Sequence, residues 1–243
     1  LPGARSFKPK HFKKLLEIYR QKGLSSGTIK NRFSHFRWIA EKIGKASIIP
    51  RTNEELGIEE RRRSTVNRAQ RLDLGKMESL PCERMRLAVR LMAAFGLRRE
   101  EALKFTPSSM KWSSKRMGII KGTKGGRYRE IPIHTERHRA LLEEVKAVAG
   151  EGSLIPDDKR YVDFLKQFEH QTLKAGLGNL HGLRHNYAQW YYKKLTGWPC
   201  PKAGGMDKNS MNETMQAIDR DARMRVSQAL GHGRIEITKI YLG

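Results

Sequence analysis

Apolar residues recur at helical spacing along most of the chain, and this pattern constrains the fold more than any other feature. Phe12, Leu16 and Tyr19 share one helical face of residues 8–22, opposite a face rich in lysine. A second helix is predicted from a Ser-Ser-Gly-Thr stretch to Gly44. Further predicted helices cover 53–72, a segment ending at Gly96, 135–149, 158–174, 183–195, 214–230 and 234–242.

Two short segments, 112–120 and 128–133, have the composition of β-strands instead. A glycine-rich basic loop, Lys-Gly-Thr-Lys-Gly-Gly-Arg, joins them as in a hairpin. The sequence therefore predicts a fold that is mainly α with a small β-sheet.

Composition shifts divide the chain into two predicted domains. Residues 1–72 are predicted to form a small basic helical unit. This unit either binds the phosphate backbone of a nucleic acid or is a plain helical bundle with a solvated polar face. Residues 73–80 are predicted as a linker, and residues 81–243 as a larger mixed α+β domain.

The charge of the chain points to a polyanionic partner. It has 49 Lys and Arg against 25 Asp and Glu, a net charge of +24 spread along its length. A field of this size favours nucleic acid over a solvated basic surface or a membrane surface. The predicted DNA contacts are Lys30, Arg32, Arg37, Arg61, Arg62, Arg63, Arg68, Lys121 and Arg127.

Several chemistries find no support in the sequence. Cys82 and Cys200 lack metal-ligand spacing and fit a reducing compartment, so a cytoplasmic location is expected. No apolar run is long enough to span a bilayer. No phosphate-binding loop, His-Glu-x-x-His motif or metal-type trio of carboxylates occurs, so we predict no cofactor and no metal.

Cutting DNA without a metal requires side chains for four tasks. They are a nucleophile, positive donors for the phosphate oxygens, a base, and an acid for the leaving 5′-oxygen. Tyrosine can be the nucleophile if positive neighbours or a base activate it. Arginine suits the phosphate because its planar fork binds two oxygens and keeps its charge.

Four motifs supply such residues in order: Phe-Gly-Leu-Arg-Arg-Glu-Glu-Ala-Leu (95–103), Thr-Lys-Gly-Gly-Arg-Tyr-Arg-Glu-Ile-Pro-Ile (123–133), His-Gly-Leu-Arg-His (181–185), and Leu-Gly-His (230–232) with Tyr241 nine residues later. The set resembles the tyrosine recombinases, or phage-type integrases, over about residues 76–243. The resemblance implies a helical core-binding domain followed by a mixed α+β catalytic domain, in a bacterial or phage-related protein.

The resemblance also implies a role for each motif residue. Tyr241 is the nucleophile, Lys124 is the general acid with Lys121 as its competitor, and Glu101 and His185 support the site. His181 either takes the proton of the tyrosine or holds a phosphoryl oxygen. The remaining phosphate-binding residues are Arg98, Arg184 and His232.

One stretch departs from the family pattern. His232 follows Arg184 by 48 positions, a longer separation than in many relatives. The surplus, about 196–213, is rich in Gly and Pro and is predicted to be an inserted loop that contacts DNA or a neighbouring subunit, or merely packs on the body. Because the chain starts at Leu1 and stops soon after Tyr241, we expect a shortened chain or an unusually compact member.

The resemblance implies site-specific recombination of a mobile element by a homotetramer on two DNA duplexes. Two alternatives stay open at this point. A type IB topoisomerase would use the same chemistry to relax supercoils, and a DNA-binding accessory protein would bind without cutting.

Overall fold

The computed structural model describes residues 3–60, 65–107, 115–119 and 121–243. The chain divides into two compact units, Leu1–Ser64 and Thr65–Gly243. The predicted fold class, mainly α with a small sheet, is confirmed. Arg61, Arg62 and Arg63, which were predicted to contact DNA, lie outside the described residues.

The first unit contains helices α1 (Pro9–Gln21) and α2 (Ser26–Lys42), both predicted from their periodicity. Pro9 opens α1, where its missing N–H has no helical partner to lose. The Ser25 hydroxyl accepts a hydrogen bond from the Thr28 backbone N–H and caps α2. The two apolar faces form a core of their own. Its buried residues are Phe12, Leu16, Ile29, Phe33, Ala40, Ile49, Leu56 and Ile58.

The helix predicted over 53–72 is wrong for the part of that segment that the structure describes. Residues 54–57 form a turn, and the other described residues there are extended or bent. The segment is strongly charged and has no continuous apolar face to bury as a helix. Arg37 of α2 fixes the chain just before it by donating to the carbonyl oxygens of Pro50 and Thr52, both at 2.7 Å.

The second unit begins earlier along the chain than the predicted catalytic domain. Residues 73–80, predicted as a linker, contain helix α3 (Leu74–Glu78). Met77 of this helix is buried in the core of the second unit. The assignment of the two units as a DNA-binding and a catalytic domain stays a prediction.

Seven further helices and one hairpin follow α3 in the described residues. The helices are α4 (Glu83–Phe95), α5 (Arg99–Leu103), α6 (Glu136–Ala149), α7 (Tyr161–Lys174), α8 (His181–Thr196), α9 (Glu213–Ala229) and α10 (Lys239–Leu242). Helix α4 is central, because it packs against α5, α6 and α8 and fully buries Leu91 and Phe95. None of the described helices is both long and apolar enough to cross a membrane.

The sheet has two antiparallel strands, β1 (Arg116–Ile119) and β2 (Arg129–Pro132). Met117 pairs with Ile131, and both side chains are buried. Successive side chains of a strand point to opposite faces, so Arg129 lies on the same buried face as Ile131. Part of the predicted first strand lies outside the described residues.

The predicted inserted loop, 196–213, is a folded segment rather than an open loop. It contains two short 3₁₀ turns, Pro201–Ala203 and Lys208–Ser210. Cys200 is completely buried and Met211 nearly so, which anchors the segment to the second unit at both ends.

Replacing Phe33 by alanine tests the core of the first unit. Phe33 is fully buried, so Phe33→Ala should lower the free energy of unfolding of that unit by about 3–5 kcal/mol. Trp38→Ala on the same helix removes a larger ring that is 60% exposed, and should cost less than about 0.5 kcal/mol. Urea unfolding followed by circular dichroism measures both. Equal losses would contradict this assignment of the core.

Candidate active site

The turn between α4 and α5 positions the first arginine of the site. Gly96 ends α4 with φ +61°, and a Cβ there would lie 2.5 Å from Cδ1 of Tyr187, so only glycine fits. Its carbonyl oxygen accepts a hydrogen bond from Nη1 of Arg184 at 2.5 Å. Arg98 follows as the N-cap residue of α5. The Gly-Leu-Arg sequence thus ends α4 and starts α5. Its glycine also binds Arg184 through the backbone carbonyl oxygen.

Glu101 is the completely buried centre of an ion-pair cluster. Its carboxylate accepts from the backbone N–H of Arg98 at 2.6 Å and from Nη1 of Arg98 at 2.8 Å. Arg129 of β2 binds both carboxylate oxygens, at 2.6 and 2.7 Å. Nε of Arg129 also donates to the carbonyl oxygen of Ala229, at the end of α9, at 3.0 Å. One carboxylate therefore connects α5, the hairpin and the end of α9.

The charges around Glu101 keep it ionised although it is buried. Burial by itself raises the pKa of its carboxyl, but the hydrogen bonds and charge of Arg129 outweigh burial. The Arg98 N–H and the Arg184 charge act in the same direction, and together they lower the pKa to about 2. Glu101 is therefore an anion throughout the neutral range.

Arg184 is 1% exposed and lies at the centre of the site. Besides its bond to Gly96, it donates to the carbonyl oxygen of Leu230 through Nη2. Its Nε lies 3.4 Å from the Tyr241 hydroxyl, and its Nη2 lies 3.4 Å from Nε2 of His232. Burial lowers the pKa of the guanidinium to about 10, so it stays charged at neutral pH.

Tyr241 is 4% exposed and its hydroxyl faces two site residues. Nε2 of His232 lies 3.3 Å from the hydroxyl oxygen, and Nε of Arg184 lies 3.4 Å from it. The ring of His185 packs against the tyrosine ring at 4.6 Å between centroids, whereas that of His181 is 6.3 Å away. His232, rather than His181, is therefore the imidazole within hydrogen-bond reach of the hydroxyl.

The three imidazoles are neutral at pH 7. Burial, together with the charges of Arg184, Arg98 and Arg129, lowers the pKa of His232 to about 4. Burial and neighbouring positive groups likewise lower the pKa of His185 to about 4. His181 lies at the surface, but partial desolvation and the Arg184 charge lower its pKa too. A neutral imidazole has one ring nitrogen that accepts a proton.

The hairpin loop lies close to α5. Gly122 has φ +75°, and a Cβ there would meet the Glu100 carbonyl oxygen at 2.9 Å and the Glu101 Cα at 3.1 Å. Lys124 begins a 3₁₀ turn two residues later, and its side chain lies outside the described parts of the structure. The loop backbone therefore approaches α5, whereas the predicted role of Lys124 as general acid stays a prediction.

Arg68 is a predicted DNA contact that lies close to His181 and His185. It is exposed, and its charge contributes to lowering the pKa of both His181 and His185. Its backbone packs on the start of α8, because a Cβ on Gly182 would lie 2.8 Å from the Arg68 carbonyl oxygen. The next segment is fastened by the Gln70 N–H, which donates to the Gly182 carbonyl oxygen at 3.0 Å.

The other described DNA contacts differ in what they do within the protein. Lys30 and Arg32 are exposed on α2, and Lys121 and Arg127 are exposed in the hairpin loop. Arg37 instead donates three hydrogen bonds inside the first unit, which favours a structural use of its guanidinium. Contact with DNA stays a prediction for all of them.

Arg129 is the site residue that the sequence reasoning missed. The motif at 123–133 contains Arg129, but the family resemblance assigns a role there to Lys124. A signal was present, because Arg129 alternates with the apolar Ile131 on a short strand and so faces the core. The charge of the buried Arg129 is compensated by the Glu101 carboxylate, because an uncompensated charge inside a protein is costly.

Comparison with known proteins agrees with the geometry of this site. Residues 76–190 match the family model described as integrase. This stretch of the second unit, which carries Arg98, His181 and Arg184, is therefore similar to the integrase family. No curated protein sequence matches the chain.

Solved structures share the fold over nearly the whole chain. A XerH site-specific recombinase bound to a palindromic difH substrate is 21% identical with a TM-score of 0.59, covering 98% of this chain and 67% of that one. A lambda integrase dimer on a COC′ core site is 18% identical with a TM-score of 0.60, covering 98% and 65%. The Tn1549 transposon integrase with circular intermediate DNA is 15% identical with a TM-score of 0.58, covering 100% and 83%.

At sequence identities of 15–21%, these structural matches establish the fold and nothing beyond it. The chain spans about two thirds of the length of the XerH and lambda integrase chains.

Replacing Glu101 by glutamine tests the buried cluster through its pH dependence. The folded-state pKa of Glu101 is lowered from 4.5 to about 2, so ionised Glu101 stabilises the fold above about pH 4.5. That stabilisation is lost as the pH falls towards 2. Glu101→Gln should therefore be less stable than the unsubstituted chain by roughly 3 kcal/mol at pH 6, and the gap should narrow towards pH 2.

Denaturant unfolding at a series of pH values measures this gap. Glu100→Gln is the matched control, because Glu100 lies partly at the surface and pairs with Lys104 outside the cluster. A Glu101→Gln gap that does not change with pH would show that the carboxylate charge is not what stabilises the cluster.

Proposed function

We propose that the protein is a site-specific DNA recombinase that cuts and rejoins DNA through a 3′-phosphotyrosyl intermediate at Tyr241. The observation that carries this proposal is the buried Tyr241 hydroxyl, which lies 3.4 Å from Nε of Arg184 and 3.3 Å from Nε2 of His232. A tyrosine that only anchored a helix would need neither partner. The match of residues 76–190 to the integrase family model supports the same conclusion.

The reaction is a transesterification at the scissile phosphate. The Tyr241 oxygen attacks phosphorus and forms a new P–O bond, and the bond to the 5′-oxygen breaks. In the tautomer that carries its proton on Nδ1, the neutral His232 imidazole accepts the tyrosine proton at Nε2. The 5′-oxygen leaves with a proton from Lys124, the role that the family resemblance implies. Attack by a 5′-hydroxyl of a partner strand reverses the step and restores the tyrosine.

Positive charge at the site stabilises the phosphorane. Arg98 and Arg184 remain charged beside the neutral histidines, and Glu101 and the backbone carbonyls fix their orientations. Preorganised donors of this kind act where water is excluded, and loss of one typically costs about 3 kcal/mol or a hundredfold in rate. The covalent link conserves the energy of the phosphodiester bond, so we expect no need for ATP or a metal ion.

The substrate is double-stranded DNA carrying a recombination site of a mobile element. The net charge of +24 suits a long polyanion. A groove of about 640 Å³ beside the site is lined by Arg98, Arg99 and His181, by the carboxylates Glu100 and Glu169, and by apolar residues such as Phe168 and Leu177. Such a groove gives a DNA strand both phosphate contacts and apolar surface. Strand exchange between two duplexes would require a tetramer.

Loss of the Tyr241 hydroxyl tests the proposed nucleophile. Tyr241→Phe should abolish the covalent protein–DNA adduct and change the DNA dissociation constant by less than about twofold, because the hydroxyl is needed only for attack. The adduct is measured as an SDS-resistant complex on nicked duplexes carrying candidate recombination sites, in EDTA.

Tyr187→Phe is the matched control for this experiment. Tyr187 is also buried, on α8, but its hydroxyl has no hydrogen-bond partner within the described parts of the chain. The Tyr187→Phe variant should still form the covalent protein–DNA adduct. An adduct that survives Tyr241→Phe would show that Tyr241 is not the nucleophile. Tight DNA binding with no adduct in any variant would favour a non-cutting accessory protein. Relaxation of supercoils at no particular site would favour a topoisomerase.

Arg68 provides a test of the DNA interface near the site. Arg68→Gln removes an exposed charge close to His181, and should make the logarithmic salt dependence of DNA binding shallower by about one unit. Fluorescence anisotropy at several salt concentrations measures the slope. An unchanged slope would exclude a phosphate contact at Arg68.

A further inference from the structure

We propose that Lys202 of the inserted segment and Arg223 of α9 are positioning residues that fasten the helix carrying Tyr241. This inference rests on the proposed function, since it concerns the orientation of the proposed nucleophile. It assigns a role to the segment 196–213, which the proposed reaction itself leaves unused.

The helix that carries Tyr241 cannot hold its own orientation. Helix α10 (Lys239–Leu242) is a single turn, preceded by a 3₁₀ turn at Ile235–Thr238. Forming one isolated helical turn is unfavourable, because several backbone angles are fixed for very few hydrogen bonds. Tertiary contacts must therefore set where the tyrosine hydroxyl points.

Three side chains from three different elements bind the carbonyl oxygens at the end of α10. Lys202 Nζ donates to the Ile240 carbonyl oxygen at 2.9 Å. Gln189 of α8 donates through Nε2 to the carbonyl oxygen of Tyr241 itself at 3.0 Å. Arg223 Nη1 donates to the Gly243 carbonyl oxygen at 2.6 Å.

These contacts suit the chemistry of a helix end. The last carbonyl groups of a helix have no partner within the helix, and positive donors there are favourable. Lys202 and Arg223 supply such charged donors, and their hydrogen bonds are stronger than neutral ones.

The side chain of Arg223 is held in place by the carboxylate of Asp219. Its Nε lies 2.9 Å from both carboxylate oxygens of Asp219, one turn earlier on α9, and Tyr192 donates to the same carboxylate at 2.6 Å. The Arg223 and Asp219 side chains are only 10% and 5% exposed. The guanidinium is thus fixed on one side by a buried carboxylate and presents Nη1 to the Gly243 carbonyl.

The inserted segment brings Lys202 to its place through a tight local fold. A Cβ on Gly205 would lie 1.8 Å from the Pro199 carbonyl oxygen, so the chain can turn there only with glycine. Lys202 lies in the turn that this close approach closes. The backbone beyond Tyr241 lies directly against the turn, since a Cβ on Gly243 would lie 3.0 Å from Cβ of Pro201 and 3.2 Å from N of Lys202.

The two sides of α10 therefore have different tasks. The hydroxyl of Tyr241 faces Arg184 and His232, while the backbone of residues 240–243 is held by Lys202, Gln189 and Arg223. Attack on phosphorus depends on near-ideal placement, and a misplacement of about 1 Å costs on the order of a hundredfold in rate. Loss of a fastening contact should slow attack by the tyrosine without altering how the site activates the phosphate.

Lys202→Met is the variant that tests this role, because it keeps the length of the side chain and removes its donor. In single-turnover assays on a nicked duplex, it should form the covalent adduct about 10- to 100-fold more slowly, with a DNA dissociation constant within about twofold of the unsubstituted chain. Lys202→Arg, which keeps a charged donor, should recover most of the rate. Lys208→Met, in the second turn of the same segment, is the matched control and should behave as the unsubstituted chain.

A second nucleophile separates positioning from phosphate activation. In a Tyr241→Phe background, hydrogen peroxide can attack the scissile phosphorus in place of the tyrosine. Adding Lys202→Met to that background should leave the peroxide-dependent cleavage rate unchanged. Arg223→Lys keeps the charge beside Asp219 but shortens the reach to Gly243, and should show the same selective loss.

Each outcome decides the inference. Equal slowing of tyrosine and peroxide cleavage would place Lys202 in phosphate activation and overturn the positioning role. An unchanged adduct rate in Lys202→Met would reduce the contact to packing. If the unsubstituted chain forms no adduct at all, the proposed function fails and the positioning role fails with it.

Discussion

The ion-pair cluster around Glu101 is the interaction on which the rest of the second unit depends. A carboxylate with no solvent exposure is tolerated because two guanidinium groups and a backbone N–H surround it. Each partner comes from a different place: Arg98 from the start of α5, and Arg129 from the hairpin. Arg129 extends the connection to Ala229, three residues before His232. The position of the His232 imidazole is thus linked to that of Arg98 through a single buried charge.

Arg184, which contacts the Tyr241 hydroxyl, is held in place in a different way. It takes its place from two backbone carbonyls, those of Gly96 and Leu230, rather than from an acidic partner. Its positive charge is therefore not neutralised by a carboxylate of its own, and it remains available to a phosphate. The same residues that hold the arginine also end α4 and α9. The ends of α4 and α9 therefore also form part of the site. Gly96 both ends α4 and accepts a hydrogen bond from Arg184.

The fold followed from sequence wherever a segment had a continuous apolar face. Helices α1, α2 and α4 obey this rule, and each lies close to its predicted range. The rule failed over 53–72, where charge dominates. There Arg20 of α1 donates to the carbonyl oxygens of Leu56 and Gly57. It also missed helix α3, because five residues are too few to show a period.

The sequence by itself determined the identities and order of the motif residues, since each motif is local and its spacing is visible along the chain. Only the tertiary structure decided which of them meet. It paired Glu101 with Arg129, brought His232 rather than His181 to the Tyr241 hydroxyl, and set the segment 196–213 against the helix that carries Tyr241. Periodicity reports which face of one element is buried, but distances between residues far apart in the chain depend on how helices pack, and that packing is a property of the whole second unit.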